Sequence, residues 1–137
     1  MERVDIPAVA PLANTDDERF WASCAAKALA VQRCLECGRY RFPPREPCPQ
    51  CLSTNSVWTP VRGTGTVYAS LVVHRRRGQD DAAPYNLAIV ELDEGVRMWS
   101  NVIGCEPRAV RSGDRVRLVY VETEAGTLPR FERSEEP

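Results

Sequence analysis

The sequence predicts a mainly β chain with an N-terminal helix, in which a rubredoxin-like zinc ribbon precedes a closed five-stranded barrel. Three observations carry this. Four cysteines form two matched pairs, Cys34-Leu35-Glu36-Cys37 and Cys48-Pro49-Gln50-Cys51, separated by ten residues. Beyond residue 59, short apolar runs alternate with turn signals and give five strand candidates. Ahead of the cysteines, one aromatic-containing segment repeats at helical spacing.

Composition narrows the class. At 137 residues, with 43% hydrophobic and 27% charged content, the chain reads as one globular domain, or one domain plus a small module. A net charge of −1 argues against a basic nucleic-acid binder. No apolar run approaches the length of a membrane helix. Residues 1–14 lack the basic and apolar regions of a signal peptide, so a cytoplasmic location without a membrane partner is expected. In that compartment paired C-x-x-C spacing favours zinc over disulfides.

The first part, residues 1–30, is an arm followed by a helix. Asn14 or Thr15 can cap it, and Thr15-Asp16-Asp17-Glu18 matches a capping box whose acids suit the positive end of the helix dipole. Phe20, Trp21, Cys24 and Ala28 then share one face. That face either packs on its own domain or, through Phe20 and Trp21, docks on a partner; the spacing alone leaves both open.

The second part, residues 31–58, is the ribbon. Residues 31–33 lead as a strand into the first cysteine pair, and residues 40–42 return from it. Gly38 follows that pair, where a positive φ is easily adopted. Leu52 holds the corresponding place after the second pair, so that turn is less ideal. Cys34, Cys37, Cys48 and Cys51 together offer four thiolates for one structural zinc ion, a filled set with no open position for catalytic water. A redox disulfide is disfavoured by the matched pairs, and a rubredoxin-type iron site is the other metal reading.

The third part, residues 59–137, is the barrel. The strands are expected at residues 63–74, 84–92, 96–103, 115–122 and 127–132. The turns are Asp93-Glu94-Gly95 and Ser112-Gly113-Asp114, with one helical turn over 106–110. Residues 87–90 are apolar on both faces of their strand. Gly63-x-Gly65 fits strand curvature or a bulge better than a phosphate loop. A long first strand and a break between the third and fourth match the OB-fold.

Motif order then identifies a resemblance. It runs Gln32-Arg33-Cys34-x-x-Cys37-Gly38, Arg41-Phe42-Pro43-Pro44-Arg45, Cys48-Pro49-x-Cys51, Gly63-x-Gly65-Thr66-Val67-Tyr68, Val73-His74-Arg75, Ala83-Pro84-Tyr85 and Leu128-Pro129-Arg130-Phe131. Spanning Phe20 to Phe131, it resembles the DUF35 family, zinc-ribbon and OB-fold proteins associated with acyl-CoA enzymes. The resemblance implies a non-catalytic accessory subunit that docks on a thiolase-like partner and helps hold acyl-CoA. The partner would supply the nucleophile for carbon–carbon bond formation, cleavage or acyl transfer. Two positions depart from the family pattern: Leu52 replaces a glycine common after the last ligand, and Ala28 stands where many relatives have glycine.

Other residues are weighed against this. Arg75, Arg76 and Arg77 form a cationic run suited to CoA phosphates, or else a solvated loop. Cys24 and Cys105 remain outside the pairs; either would need the single histidine, His74, as a base to act as an acyltransferase nucleophile. Tyr68, Tyr85 and Trp99 could stack bases in a nucleic-acid-binding alternative, which the net charge weakens.

Overall fold

A computed structural model describes residues 15–74, 83–124 and 126–134. Helix α1 (Thr15–Ala25) leads into strand β1 (Ala30–Cys34) through a tight C-terminal cap. Lys27 takes the left-handed conformation, with φ +57°, and the Ala28 and Lys27 amides donate back to the Ser23 and Cys24 carbonyls. This is a Schellman arrangement in which glycine is the usual occupant. Ala28 therefore lies beyond the helix and is exposed, correcting its expected place on the apolar face. The Ser23 hydroxyl donates to the Phe20 carbonyl and accepts the Ala30 amide, fixing the exit into β1.

The ribbon is a three-stranded antiparallel sheet ordered β2 (Tyr40–Arg41), β1, β3 (Ser56–Pro60). β3 pairs with β1 along its whole length, from Ala30 opposite Pro60 to Cys34 opposite Ser56. Sequence reading placed no strand there. Two bonds then join ribbon to barrel: the Val61 amide donates to the Leu29 carbonyl, and the Leu29 amide donates to the Tyr120 hydroxyl.

Six strand segments form the barrel: β4 (Thr64–Val73), β5 (Tyr85–Leu92), β6 (Arg97–Ser100), β7 (Val102–Ile103), β8 (Arg115–Thr123) and β9 (Gly126–Arg133). A 3₁₀ turn at Pro107–Ala109 stands where the helical turn was expected. The sheet order is β6-β5-β4-β8-β9-β7. β6 and β7 are one stretch of chain interrupted at Asn101, so the sheet's two ends meet and five barrel strands result. β6 pairs antiparallel with β5, and β7 pairs parallel with β9. That partner switch closes the OB-fold barrel.

Two buried asparagines make the switch. Asn101 donates through Nδ2 to the Asn86 carbonyl, while Asn86 Oδ1 accepts the Val102 amide. The Asn101 carbonyl takes the Phe131 amide. Ladder groups that would be orphaned at the break thus find partners inside the core, where an unmet backbone group is costly.

The opening of β4 needs its glycine. A Cβ at Gly65 would lie 2.5 Å from the Glu91 carbonyl oxygen, so no side chain fits without moving β5. A register shift between Val67 and Ala69 adds the bulge that bends the strand. Around these strands one core runs through all three parts of the chain. Phe20, Cys24, Leu29 and Val31 join Val67, Val90, Val116 and Phe131, all fully or nearly fully buried.

Asp93 ties the β5–β6 turn to the adjoining starts of β4 and β8. It accepts both terminal nitrogens of Arg115, at 2.9 and 3.0 Å, and the Thr64 hydroxyl. The Arg115 guanidinium first, then the Thr64 hydroxyl, hold its carboxyl down to about 2, against 3.8 ordinarily. A depressed carboxyl stabilises the fold above pH 3.8, and that contribution disappears as pH falls through 3.8 toward 2. Both side chains keep nearly a third of their surface in solvent, so screening limits the pair to about 1 kcal/mol. Asp93→Asn should therefore lower urea-unfolding stability by about 1 kcal/mol at neutral pH and by almost nothing near pH 2. An equal loss at both pH values would contradict this assignment.

Candidate metal centre and docking face

Two near-identical loops build the metal centre. In the first, the Gly38 amide donates to the Cys34 carbonyl and the Cys34 amide to the Arg39 carbonyl. In the second, the Leu52 amide donates to the Cys48 carbonyl and the Cys48 amide to the Ser53 carbonyl. Each loop turns through a left-handed residue, Gly38 at φ +78° and Leu52 at φ +64°. The equivalence expected from spacing is thus present in the backbone, with leucine in a conformation that suits glycine.

All four sulfurs lie within 4.8 Å of one another, with Cys34 to Cys51 at 3.5 Å and Cys37 to Cys48 at 3.8 Å. A zinc tetrathiolate with bonds of about 2.3 Å has tetrahedral edges of about 3.8 Å. The donor set therefore fits one zinc ion. Loop amides prepare the sulfurs for it. The Cys37 amide, assisted by that of Glu36, pulls the Cys34 thiol down to about 6. The Gln50 and Cys51 amides lower Cys48. The Ser53 amide lowers Cys51, but the neighbouring sulfurs outweigh it and push that thiol up to about 12. Four crowded thiols cannot all ionise without a cation among them, and a divalent ion supplies that charge. Cys34 and Cys48 are buried while Cys37 and Cys51 face solvent, so the centre sits at the ribbon's edge.

Leu52 gives a direct test of this geometry. Its side chain is 73% exposed, so little packing offsets the backbone strain. Leu52→Gly should stabilise the zinc-loaded chain by roughly 1 kcal/mol in chemical denaturation. Destabilisation would show that the leucine makes a compensating contact.

The remaining site candidates separate clearly. Phe20 is 4% exposed and stacks within 4.9 Å of Phe42 and 5.2 Å of Trp21. Its expected docking role is corrected: the ring belongs to the chain's own core, with Trp21 half-buried beside it. Arg75, Arg76 and Arg77 lie outside the described residues. Cys24 is fully buried, and burial pushes its thiol up to about 12, which removes it as a nucleophile. Cys105 lines a cleft with Arg115 and Arg117, which face the start of β4. His74 follows the other end of that strand and is not among the residues that line the cleft. Cys105 therefore shares its cleft with no histidine among the described residues.

An apolar surface appears on the barrel instead. Trp99 lies opposite Ile89, Ile89 opposite Ala69, and Leu87 opposite Leu71. These side chains share the outer face of β4, β5 and β6, because the alternate residues Ala88, Val90 and Met98 point into the core. Trp99 is 63% exposed, and Leu71 and Tyr68 are about half exposed. The Arg97 guanidinium stacks on Tyr68 at 3.8 Å and borders the patch. Among the described residues no helix is long and apolar enough to cross a membrane.

Comparison with known proteins places this architecture. The family model for the ChsH2 rubredoxin-like zinc ribbon domain matches residues 21–57, and that for the ChsH2 C-terminal OB-fold domain matches residues 58–121. A DUF35 domain-containing scaffold protein of Methanothermobacter thermautotrophicus is 33% identical over 77% of this chain and 82% of its own length. The chain belongs to the DUF35 family. Its ribbon is accordingly a zinc ribbon with one structural zinc ion, and its barrel an OB-fold. Among solved DUF35 structures, the Ltp2-ChsH2(DUF35) aldolase chain superposes with a TM-score of 0.81 at 34% identity, covering 90% of this chain and 98% of that one. A probable enoyl-CoA hydratase alpha subunit of Thermomonospora curvata is 34% identical over 88% of this chain. This DUF35 chain spans only 38% of that subunit's length.

Proposed function

We propose that this chain is a non-catalytic accessory subunit that docks on a thiolase-like acyl-CoA enzyme and helps hold its acyl-CoA. The observation that carries this reading is the apolar face of β4, β5 and β6 on a chain whose relatives are named as scaffold, hydratase subunit and aldolase component. A patch centred on an exposed tryptophan and bordered by arginine has the composition of an interface hot spot. The described cysteines offer no activated nucleophile: four converge as zinc ligands, Cys24 is sealed in the core, and Cys105 lines a cleft that holds no histidine among the described residues.

In this reading Cys34, Cys37, Cys48 and Cys51 ligate the zinc and hold the ribbon rigid against the barrel. Docking runs through the barrel face, with the exposed knuckle leucines Leu35 and Leu52 as the ribbon's contribution. The acyl-CoA role rests on the arginine run at 75–77 and on the family resemblance. Carbon–carbon chemistry belongs to the partner's cysteine.

The test is reconstitution. Acyl-CoA turnover is measured for the thiolase-like protein alone, for this chain alone, and for the two together. The expected result is activity only, or at least tenfold more, in the mixture, with none from this chain alone. Turnover by the isolated chain would overturn the reading. A second reading, a nucleic-acid-binding OB module, draws on the exposed Tyr68 and Trp99. It predicts salt-dependent binding of single-stranded DNA.

A further inference from the structure

Between ribbon and barrel lies a cleft of about 360 Å³ walled by Arg39, Arg41, Arg45 and Arg97, with Cys48 and Gln50. Among the described residues no aspartate or glutamate lines it. Arg41 is the buried arginine among them, at 5% exposure. Its Nε donates to Gln32 Oε1 at 2.9 Å and to the Arg45 carbonyl at 2.7 Å. Gln32 Oε1 also accepts the Arg45 amide, so one buried glutamine fixes both the guanidinium plane and the loop that follows. Both terminal nitrogens, Nη1 and Nη2, are buried with no hydrogen-bond partner.

An arginine cannot shed its proton to escape that situation. A buried, unpaired charge with four free N–H donors is strongly unfavourable unless something supplies the acceptors. The neighbours make it worse, since Arg39 and Arg45 add positive charge. Arg97 stacks on Tyr68 and meets Glu91 through a long, exposed contact of 3.8 Å, so its charge is only weakly compensated.

We propose that this cleft is an oxyanion site that takes the phosphate of a phosphomonoester. The terminal fork of Arg41 presents two parallel donors, the geometry that phosphate oxygens accept bidentately. Three further arginines favour a dianion over the single charge of a carboxylate. The cleft is also within the size range of organic-ligand pockets, so the phosphate fits as part of a larger molecule. Arg39, Arg45 and Gln50 are exposed at the rim, and their rotamers shift fast enough to admit an anion to the screened Arg41 fork. The site uses none of Arg75, Arg76 and Arg77 and is tested on this chain alone, whatever the fate of the partner reading.

The experiment titrates the full, zinc-loaded chain with inorganic phosphate, adenosine 3′,5′-bisphosphate and acetate at fixed ionic strength, by calorimetry. Saturable binding of both phosphates, with acetate at least tenfold weaker, is expected. Tighter binding of the bisphosphate identifies a nucleotide phosphate as the source, and equal binding identifies free phosphate. Arg41→Gln should abolish binding. Because Arg41 is buried, the exposed pair Arg39→Ala with Arg97→Ala provides a variant that keeps the fold. It should weaken phosphate at least tenfold while the ligand-free protein still unfolds cooperatively, within a few degrees of the unsubstituted chain. Absence of saturable phosphate binding, or unchanged binding in the double variant, would overturn the proposal. So would an Arg41→Gln protein that binds phosphate normally but loses zinc, since the guanidinium would then serve only as countercharge to the thiolates.

Discussion

Removing zinc from this chain should unfold the ribbon and lower the melting temperature on the order of 20 °C. A structural Cys₄ site supplies roughly 10 kcal/mol to the folding of a small module. Here β2 contributes only two residues, and no apolar cluster separate from the barrel's lies within the ribbon. Its ordered state depends on the four sulfurs being drawn together. Leu29 and Val31 continue directly into the barrel core, so loss of β1 also opens the packing around Phe131 and Phe20. Part of the loss therefore spreads into the barrel, where each kilocalorie lost lowers the transition by several degrees. Cys48→Ser should reproduce most of the effect, because a buried hydroxyl is a poor replacement for a thiolate ligand. Circular dichroism melts with and without a chelator, alongside metal analysis, check it. A chelated protein that melts within a few degrees of the untreated one would show that the ribbon is held by packing alone.

Trp99→Asp combined with Leu71→Asp should abolish partner association while leaving the isolated chain folded. Both side chains are more than half exposed, so their replacement alters stability by no more than about 1 kcal/mol in total. At an interface centre the same changes bury two carboxylates against apolar surface, which costs at least several kcal/mol and weakens binding more than a hundredfold. Asp at Phe20 would act differently. That ring is in the chain's own core, so the substitution should unfold the protein and give no information on docking.

The contrast between these positions shows where sequence reading reached. Helical spacing placed Phe20 and Trp21 on one apolar face correctly. The spacing is the same whether a partner or the chain's own barrel covers that face, so it could not choose. The cysteine set was legible because metal geometry imposes local spacing. The barrel strands were legible because their alternation and turns are local too. β3 was missed: its partner β1 lies more than twenty residues earlier, and Ser56–Pro60 ends in a proline that argues against a strand. Asn86 and Asn101 were missed because asparagine ordinarily marks turns, although each interrupts an apolar run. The barrel face was half visible. Residues 87–90 read as apolar on both faces of their strand, but which face turns outward, and the convergence of Leu87 and Ile89 with Trp99 and Leu71, depend on strand register.

Co-purification of this chain with a thiolase-like protein, followed by size-exclusion chromatography with light scattering, tests the accessory-subunit account most directly. Wild-type zinc-loaded chain should elute as a stable hetero-oligomer with that protein, and the Trp99→Asp, Leu71→Asp variant should elute alone as a folded species. Separate elution of the wild-type chain with its zinc intact, or a hetero-oligomer that survives the double substitution, would contradict it.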